Sequence, residues 1–249
     1  PALSTQDTSI FTCNDTVVSL NGNTDFSFPN LQWSWYTNNG NILSDPNNTT
    51  ITADAPGDYF FTILNTDNGC ADTVQQTIIP DQDRPSLNLS GDQLLTCDIQ
   101  AITLTASGST ASGSNPSFEW TTLDGNILSD PTENQITVSD PGTYRVRLLD
   151  PANGCYNTQS ITIQIDTVAP ILSFGTSPVL DCQVSNILIA PSQIENAQYD
   201  YSWSTSNGNI IGNTNQYQIQ ADQAGIYYLN VTNTNNGCSS TDSLVVNQD

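Results

Sequence analysis

The sequence predicts an all-β protein built from three tandem antiparallel β-sandwich domains arranged end to end. Three observations support this prediction. One residue pattern returns about every 84 residues along the chain. Inside each copy, apolar residues alternate with polar ones, which is typical of half-buried strands. Gly, Asn, Asp and Pro separate these short apolar segments, and no helical periodicity is present.

The repeat is clearest when the copies are aligned on three tryptophans: Trp35, Trp120 and Trp203. A Gly follows each Trp after five residues, a Tyr after twenty-four, and the Cys of an NGC triplet after thirty-five. The heptapeptide GNILSDP starts at Gly40 and again at Gly125, and GNIIGNT takes its place at Gly208. These spacings divide the chain into three predicted modules: 1–83, 84–168 and 169–249.

Alternation with a period of two is clearest in the segment YRVRLL of the second module. Tyr144, Val146 and Leu148 are expected on one face of a strand, with Arg145 and Arg147 on the other. The segments YFFTIL and AITLTA repeat the pattern. The DNG, ANG and NNG steps before each second Cys are typical of hairpin turns, because Asn and Gly tolerate a positive φ.

Two sets of aromatic residues are predicted to form the cores. The sets are the three tryptophans and three tyrosines that follow them: Trp35, Trp120, Trp203, Tyr59, Tyr144 and Tyr227. The tyrosine hydroxyls are expected to donate to nearby backbone carbonyls, as in tyrosine corners. Trp33, Phe118 and Tyr201 are expected at the core edge, whereas Tyr36 is expected to be exposed.

The composition excludes several classes of function. The net charge is −22, with three arginines as the only basic side chains and no lysine or histidine. Such a chain is repelled by nucleic acids and by anionic membrane surfaces, and no apolar run reaches the roughly 20 residues that span a bilayer. Without histidine a Ser–His–Asp arrangement is impossible, so no enzyme activity and no catalytic residue is predicted. The absence of an initial Met suggests a piece of a longer protein.

Six regularly spaced cysteines indicate an oxidising, extracellular compartment. The first interpretation is one disulfide within each module: Cys13–Cys70, Cys97–Cys155 and Cys182–Cys238. Each bond closes a loop of about 60 residues, worth about 4 kcal/mol in the chain-entropy model. The alternative is a bridge between neighbouring modules, because the two Cys positions can lie at opposite ends of a sandwich. Cys13–Cys155 and Cys97–Cys238 then form a ladder, and Cys70 and Cys182 pair with absent neighbours.

The Trp, the D-P-G-x-Y step and the closing hairpin resemble immunoglobulin-like and polycystic-kidney-disease (PKD)-like repeats. The segment SDPGTYRVRLLDPANGC (139–155) is especially similar to PKD-like repeats of large bacterial cell-surface adhesins and filaments, of the Bacteroidota type found in gliding and predatory bacteria. Two features depart from these families. The second Cys falls eleven residues after the Tyr, unlike the two residues of antibody domains, and the WDFGDG signature of many PKD domains is missing.

Acidic residues stand just before the predicted module boundaries. Asp81 and Asp83 precede Pro85, and Asp166 precedes Pro170. Calcium binds about six to eight oxygen ligands, and this placement resembles the calcium-rigidified joints of cadherins. The other interpretation is a solvated linker stiffened by proline. Calcium at the junctions is the one cofactor that the sequence offers.

The resemblance implies a structural shaft of a secreted or cell-surface adhesin or filament, with neighbouring repeats of the same long chain as partners and a homo-oligomeric bundle or fibre as a further assembly. The alternative is a carbohydrate- or protein-binding module. It uses the variable stretch between the first Cys and the Trp of each repeat, for example residues 107–117. No nucleic-acid partner and no membrane insertion are expected.

Overall fold

A computed structural model of the protein describes residues 8–23, 30–110, 112–113 and 115–249. Regular secondary structure in these ranges consists of β-strands. No helix of the length and apolar character needed to cross a membrane occurs in the described ranges. The prediction of an all-β fold is therefore confirmed.

The first module contains six described strands in two sheets. They are β1 (Ser9–Thr12), β2 (Val18–Asn21), β3 (Leu31–Thr37), β4 (Thr50–Ala53), β5 (Gly57–Asn65) and β6 (Ala71–Asp81). One sheet has the order β1-β6-β5-β3 and the other pairs β2 with β4. The hairpin β5–β6 turns through the residues DNG, as the turn chemistry predicts.

The second and third modules repeat this plan. The second contains β7 (Ser86–Ser90), β8 (Leu94–Thr96), β9 (Ile102–Ser109), β10 (Ser117–Thr122), β11 (Gln135–Val138), β12 (Gly142–Leu149) and β13 (Tyr156–Asp166). The third contains β14 (Val179–Leu180), β15 (Ile187–Ile189), β16 (Tyr199–Ser206), β17 (Asn209–Ile211), β18 (Ile219–Gln223), β19 (Gly225–Asn233) and β20 (Ser239–Gln248). The sheet orders are β10-β12-β13-β8 and β11-β9-β7, then β14-β20-β19-β16 and β15-β18-β17.

One strand pair in each module departs from the predicted antiparallel arrangement. The strands β1, β8 and β14 run parallel to the last strand of their own module, β6, β13 and β20. The other strand pairs among the described residues are antiparallel. The first Cys of each module follows the parallel strand, so it lies beside the end of the last strand, where the chain leaves the module. This placement decides the disulfide pairing described below.

In the described part of the chain, three separate hydrophobic cores lie between the paired sheets, and each draws its residues from one predicted module. The alternation predicted for β12 is confirmed, because Tyr144, Val146 and Leu148 are fully buried while Arg145 is exposed. Each Trp of the repeat (Trp35, Trp120 and Trp203) is at least 96 % buried. Its indole N–H donates to a backbone carbonyl thirteen residues later, as Trp120 does to Glu133 at 2.9 Å. Burial of a large aromatic with a satisfied donor stabilises each sandwich independently.

The repeated heptapeptide packs under the buried tyrosine of each module. The hydroxyl of Tyr144 donates to the carbonyl of Asp140 at 2.7 Å and accepts the N–H of Asn126, the second residue of GNILSDP, at 2.9 Å. A Cβ atom on Gly125 would lie 2.3 Å from that hydroxyl. A Cβ atom on the equivalent Gly40 would lie 2.3 Å from the Tyr59 hydroxyl, and one on Gly208 would lie 2.6 Å from that of Tyr227. Glycine is therefore required at the first position, because any side chain there displaces the tyrosine.

We expect the stability of the first two modules to fall above pH 10. Burial raises the pKa of Tyr59 and of Tyr144 above the ordinary value of 10.0. The unfolded chain then loses these protons first, so stability is complete below pH 10 and decreases as pH rises toward the folded-state pKa. Urea titrations between pH 8 and pH 11 should show a shallower decline for Tyr144→Phe than for the unmodified chain. Equal declines of stability with pH for the two chains would show that the Tyr144 hydroxyl does not cause the effect.

Candidate functional site: the joints between modules

Both disulfides join different modules. Cys13 of the first module is bonded to Cys155 of the second, and Cys97 of the second is bonded to Cys238 of the third. The prediction of one bond within each module is therefore wrong, and the ladder-like alternative is confirmed for both pairs. Cys70 and Cys182 are exposed free thiols, so four of the six predicted disulfide cysteines are bonded.

Strand length explains why the bond cannot form within a module. In the first module, Cys70 lies at the start of β6, and Cys13 lies beside its end, because Thr12 pairs with Asp81. The strand has eleven residues, which separates the two cysteines by about 35 Å at 3.3 Å per residue. A disulfide requires Cα atoms within about 7 Å. Because β1 pairs with the end of β6, Cys13 lies where the chain leaves the first module, next to the hairpin turn of the second module that carries Cys155.

The first joint contains a second contact, made by Asn153 of the NGC triplet. Its side-chain amide donates to the carboxylate of Asp81 at 2.9 Å and to the carbonyl of Asp83 at 3.0 Å. Its backbone carbonyl accepts the N–H of Cys13 at 3.0 Å. Asn153 is 1 % exposed, so a single buried residue binds both the disulfide segment and the linker of the preceding module.

The second joint has the same contacts from equivalent residues. The amide of Asn236 donates to the carboxylate of Asp166 and to the carbonyl of Val168, both at 3.0 Å. Its backbone carbonyl accepts the N–H of Cys97 at 3.0 Å. Two independent copies of one arrangement indicate that the sequence specifies how successive modules meet.

The glycine of the NGC triplet allows the two modules to approach closely. Gly154 and Gly237 have φ values of 72° and 69°, in the left-handed region that favours glycine. A Cβ atom on Gly154 would lie 2.1 Å from the side chain of Asn14, and one on Gly237 would lie 2.0 Å from that of Asp98. Both neighbours directly follow the bonded Cys of the preceding module, so the triplet fits against that segment without room for a side chain.

Replacing Asn153 with Asp should weaken the first joint. The new carboxylate would face Asp81 and would lose both donated hydrogen bonds, which we expect to cost about 3 kcal/mol. Differential scanning calorimetry of the oxidised chain measures the loss as a lower melting temperature of the first two modules. Asn68→Asp is the matched control, because Asn68 holds the same place in the first module and is exposed. Equal effects of the two substitutions would contradict the role of the joint.

The candidate calcium ligands lie at these joints and already have protein partners. Asp81 and Asp166 each accept an amide N–H from the next module, and the Asp83 carbonyl accepts another. Within the described ranges, no three acidic or cysteine side chains gather as a metal site. Calcium binding stays a prediction. If calcium rigidifies the joints, EGTA should lower the melting temperature by several degrees, and an unchanged value would remove the proposal.

Sequence reasoning missed the asparagine of the NGC triplet as a contact residue. The triplet NGC is identical in all three copies, but turn chemistry alone accounts for Asn-Gly. An available signal was the strict Cys after the Gly, which turn chemistry does not require. Of the aromatics, Tyr36 is 47 % exposed as predicted, and its ring stacks on Phe60 at a centroid distance of 4.9 Å.

Comparison with known proteins finds similarity of fold only. No protein-family model and no curated protein sequence matches the chain. Solved structures that it resembles include the I-band fragment I67–I69 of titin, at 10 % identity and a TM-score of 0.43, covering 98 % of this chain and 96 % of that one. The three N-terminal domains of the outer capsid protein Hoc of bacteriophage RB49 are 14 % identical with a TM-score of 0.41, covering 97 % of this chain and 96 % of that one. The N-terminal eight Ig domains of Down Syndrome Cell Adhesion Molecule are 11 % identical with a TM-score of 0.42, covering 99 % of this chain and 36 % of that one.

Proposed function

We propose that the chain is a segment of the shaft of a secreted or cell-surface adhesin or filament, with no enzymatic activity. The observation that carries this proposal is the covalent bond across each joint. A flexible linker would let modules reorient, as is the default for domains with small interfaces. Here the linker carbonyls and carboxylates are bound by the next module, so each module holds its neighbour's orientation.

The charge of the chain suits a long exposed shaft. A net charge of −22 makes neighbouring copies repel one another and protects strand edges from pairing. Lys and Arg total only three, which leaves few sites for trypsin-like proteases. Two disulfides fit an oxidising, extracellular environment. The bacterial origin that the resemblance implies belongs to this proposal, as does lateral association of shafts into bundles at an ionic strength that screens this repulsion.

The alternative of a binding module has weaker support. In the stretch 107–117, the first residues belong to β9, and the hydroxyl of Ser112 donates to the carboxylate of Asp150 at 2.9 Å. Two residues, 111 and 114, lie outside the described ranges, as do residues 24–29 of the equivalent stretch in the first module. A glycan array or pull-down that finds micromolar binding by one module would favour this alternative.

Electron microscopy of the intact oxidised chain tests the shaft. We expect thin particles with a narrow range of angles at both joints, and a broad range after reduction with dithiothreitol. Pulling both ends gives a second measure. In the oxidised chain, the shortest covalent path between the two ends crosses the Cys13–Cys155 bond, follows the backbone back to Cys97 and crosses the Cys97–Cys238 bond. The fully extended oxidised chain should therefore reach about a third of the length of the reduced chain. Broad angles in the oxidised chain would overturn the proposal.

A further inference from the structure

The first module presents a hairpin turn that matches the two turns buried in the joints. In the segment Asp67–Cys70, the N–H of Gly69 donates to the carbonyl of Asn65 at 2.9 Å, and the N–H of Cys70 donates to the side chain of Asn68 at 2.9 Å. The turns at Cys155 and Cys238 close with the same bonds at 2.8–3.0 Å. The turn therefore has its docked conformation before any neighbour binds.

This turn carries the same Asn, Gly and Cys as the two turns in the joints, but among the described residues no other module covers it. Asn68 and Cys70 are exposed, whereas the equivalents Asn153 and Cys155 are 1 % and 0 % exposed. A Cβ atom on Gly69 would meet nothing within 4 Å, although its φ of 71° is close to the 72° of Gly154. We call the segment Asp67–Cys70 the plug.

The third module presents the complementary surface. Cys182 is an exposed free thiol in the loop after β14, and the N–H of Asp181 donates to the carbonyl of Val184 at 3.3 Å. The loop after Cys97 closes in the same way, from Thr96 to Ile99. Asp249 follows Cys238 by eleven residues, as Asp81 and Asp166 follow Cys70 and Cys155. Its N–H donates to the carbonyl of Leu180 at 3.0 Å, so it lies beside this loop. We call Asp181–Gln183 with Asp249 the socket.

We propose that plug and socket are the two halves of one further joint, which forms head to tail between two copies of this chain. The plug of one copy binds the socket of the next, with a disulfide between Cys70 and Cys182. The two internal joints supply the template: the amide of Asn68 donates to Asp249, the N–H of Cys182 donates to the carbonyl of Asn68, and Gln183 packs on Gly69. This inference rests on the proposed function, because it extends the same joint beyond one chain.

Plug and socket occupy different modules, so the contact is heterologous. Each added copy exposes a new plug at one end and a new socket at the other, and such contacts give open filaments where they do not close into a ring. The preformed turn lowers the ordering cost of docking. The high negative charge opposes it, so moderate salt should accelerate assembly by screening.

Bond formation requires an oxidant, and a low-molecular-weight disulfide such as oxidised glutathione supplies it. The Cys182 thiolate attacks one glutathione sulfur and releases one reduced glutathione. The Cys70 thiolate of the next copy attacks the Cys182 sulfur of this mixed disulfide and releases the second. The two thiols lose their protons, the protein sulfurs are oxidised and glutathione is reduced. In each existing bond one of the two cysteines is buried, because Cys155 and Cys238 are at most 1 % exposed, so a thiolate cannot readily reach that sulfur.

The test uses Cys70→Ser and Cys182→Ser chains with oxidised glutathione, read by non-reducing gel electrophoresis and mass spectrometry. Neither variant alone should form a covalent dimer. An equimolar mixture should form a dimer that carries the 70–182 bond and stops there, whereas the unmodified chain forms a ladder of larger species. Equal dimerisation of each variant alone would identify random thiol collision and overturn the proposal. A mixture that stays monomeric would also overturn it.

A charge variant tests the recognition step separately. Asn68→Asp should slow formation of the mixed dimer by about tenfold, because like charges then face each other across the joint. Asn38→Asp adds the same charge at an exposed position away from the plug and should leave the rate unchanged. Equal rates for the two variants would show that the plug is not recognised. The angle distribution within a single oxidised chain does not depend on this contact. The proposed shaft function and the proposed joint between copies can therefore be contradicted separately.

Discussion

Replacing Cys155 with Ser should lower the free energy of unfolding of the oxidised chain by about 5 kcal/mol, because the lost bond closes a loop of about 140 residues in the chain-entropy model. The first two modules should also reorient relative to each other, since the contacts described at the joint, the hydrogen bonds of Asn153 and the close approach of Gly154 to Asn14, are then noncovalent. Urea titration measures the first effect, and small-angle X-ray scattering measures the second as a broader distribution of particle dimensions.

Cys70→Ser is the matched control for this loss. It makes the same substitution at the equivalent position of the first module, where the thiol is free and exposed, so the change should stay within about 0.5 kcal/mol. Cys155 is buried, and its serine hydroxyl adds a cost of its own. Reduction of the unmodified chain separates that cost from the loss of the bond. If both substitutions cost the same, the joint does not stabilise the chain.

Gly125→Ala should destabilise the second module by about 3 kcal/mol. The new methyl group would lie 2.3 Å from the hydroxyl of Tyr144, so the ring must move from a position in which it is fully buried. Overpacking of this kind costs about 1–3 kcal/mol, and the loss of the bonds to Asp140 and Asn126 adds about 1–3 kcal/mol. Thermal unfolding followed by tryptophan fluorescence measures the effect.

Gly175→Ala serves as the comparison for this substitution. A Cβ atom at Gly175 would meet nothing within 4 Å, and its backbone is outside the left-handed region. We expect an unchanged or slightly higher stability, because alanine restricts the unfolded chain more than glycine does. A loss at Gly175 as large as that at Gly125 would mean that glycine matters in this protein for reasons other than space.

Periodicity carried most of the fold prediction. The alternation in YRVRLL and the Asn-Gly turns fixed which side chains are buried and where the hairpins lie, because both depend on neighbours close in sequence. The parallel pairing of β1 with β6 depends on residues about 70 positions apart, and no local pattern records it. The exact limits of the modules stay predictions.

The disulfide pairing depended on that same long-range feature. The spacing of Cys13 and Cys70 is equally compatible with a bond inside the module and with bonds to two different neighbours. The choice follows only once the parallel strand sets Cys13 at the exit end and the eleven-residue strand sets Cys70 at the entry end. The contact made by Asn153 was likewise hidden, because the turn alone already explains an asparagine before a glycine.

The overlap of the two bridges determines what happens when the backbone is cut. The bond from Cys13 spans the chain to Cys155, and the bond from Cys97 spans it to Cys238, so one span begins before the other ends. A single break in the backbone anywhere between residues 13 and 238 therefore leaves both fragments covalently attached. Bonds confined to each module would leave the connecting segments 71–96 and 156–181 as points where one cut severs the molecule. Continuity under damage is thus a property of how the bridges are staggered.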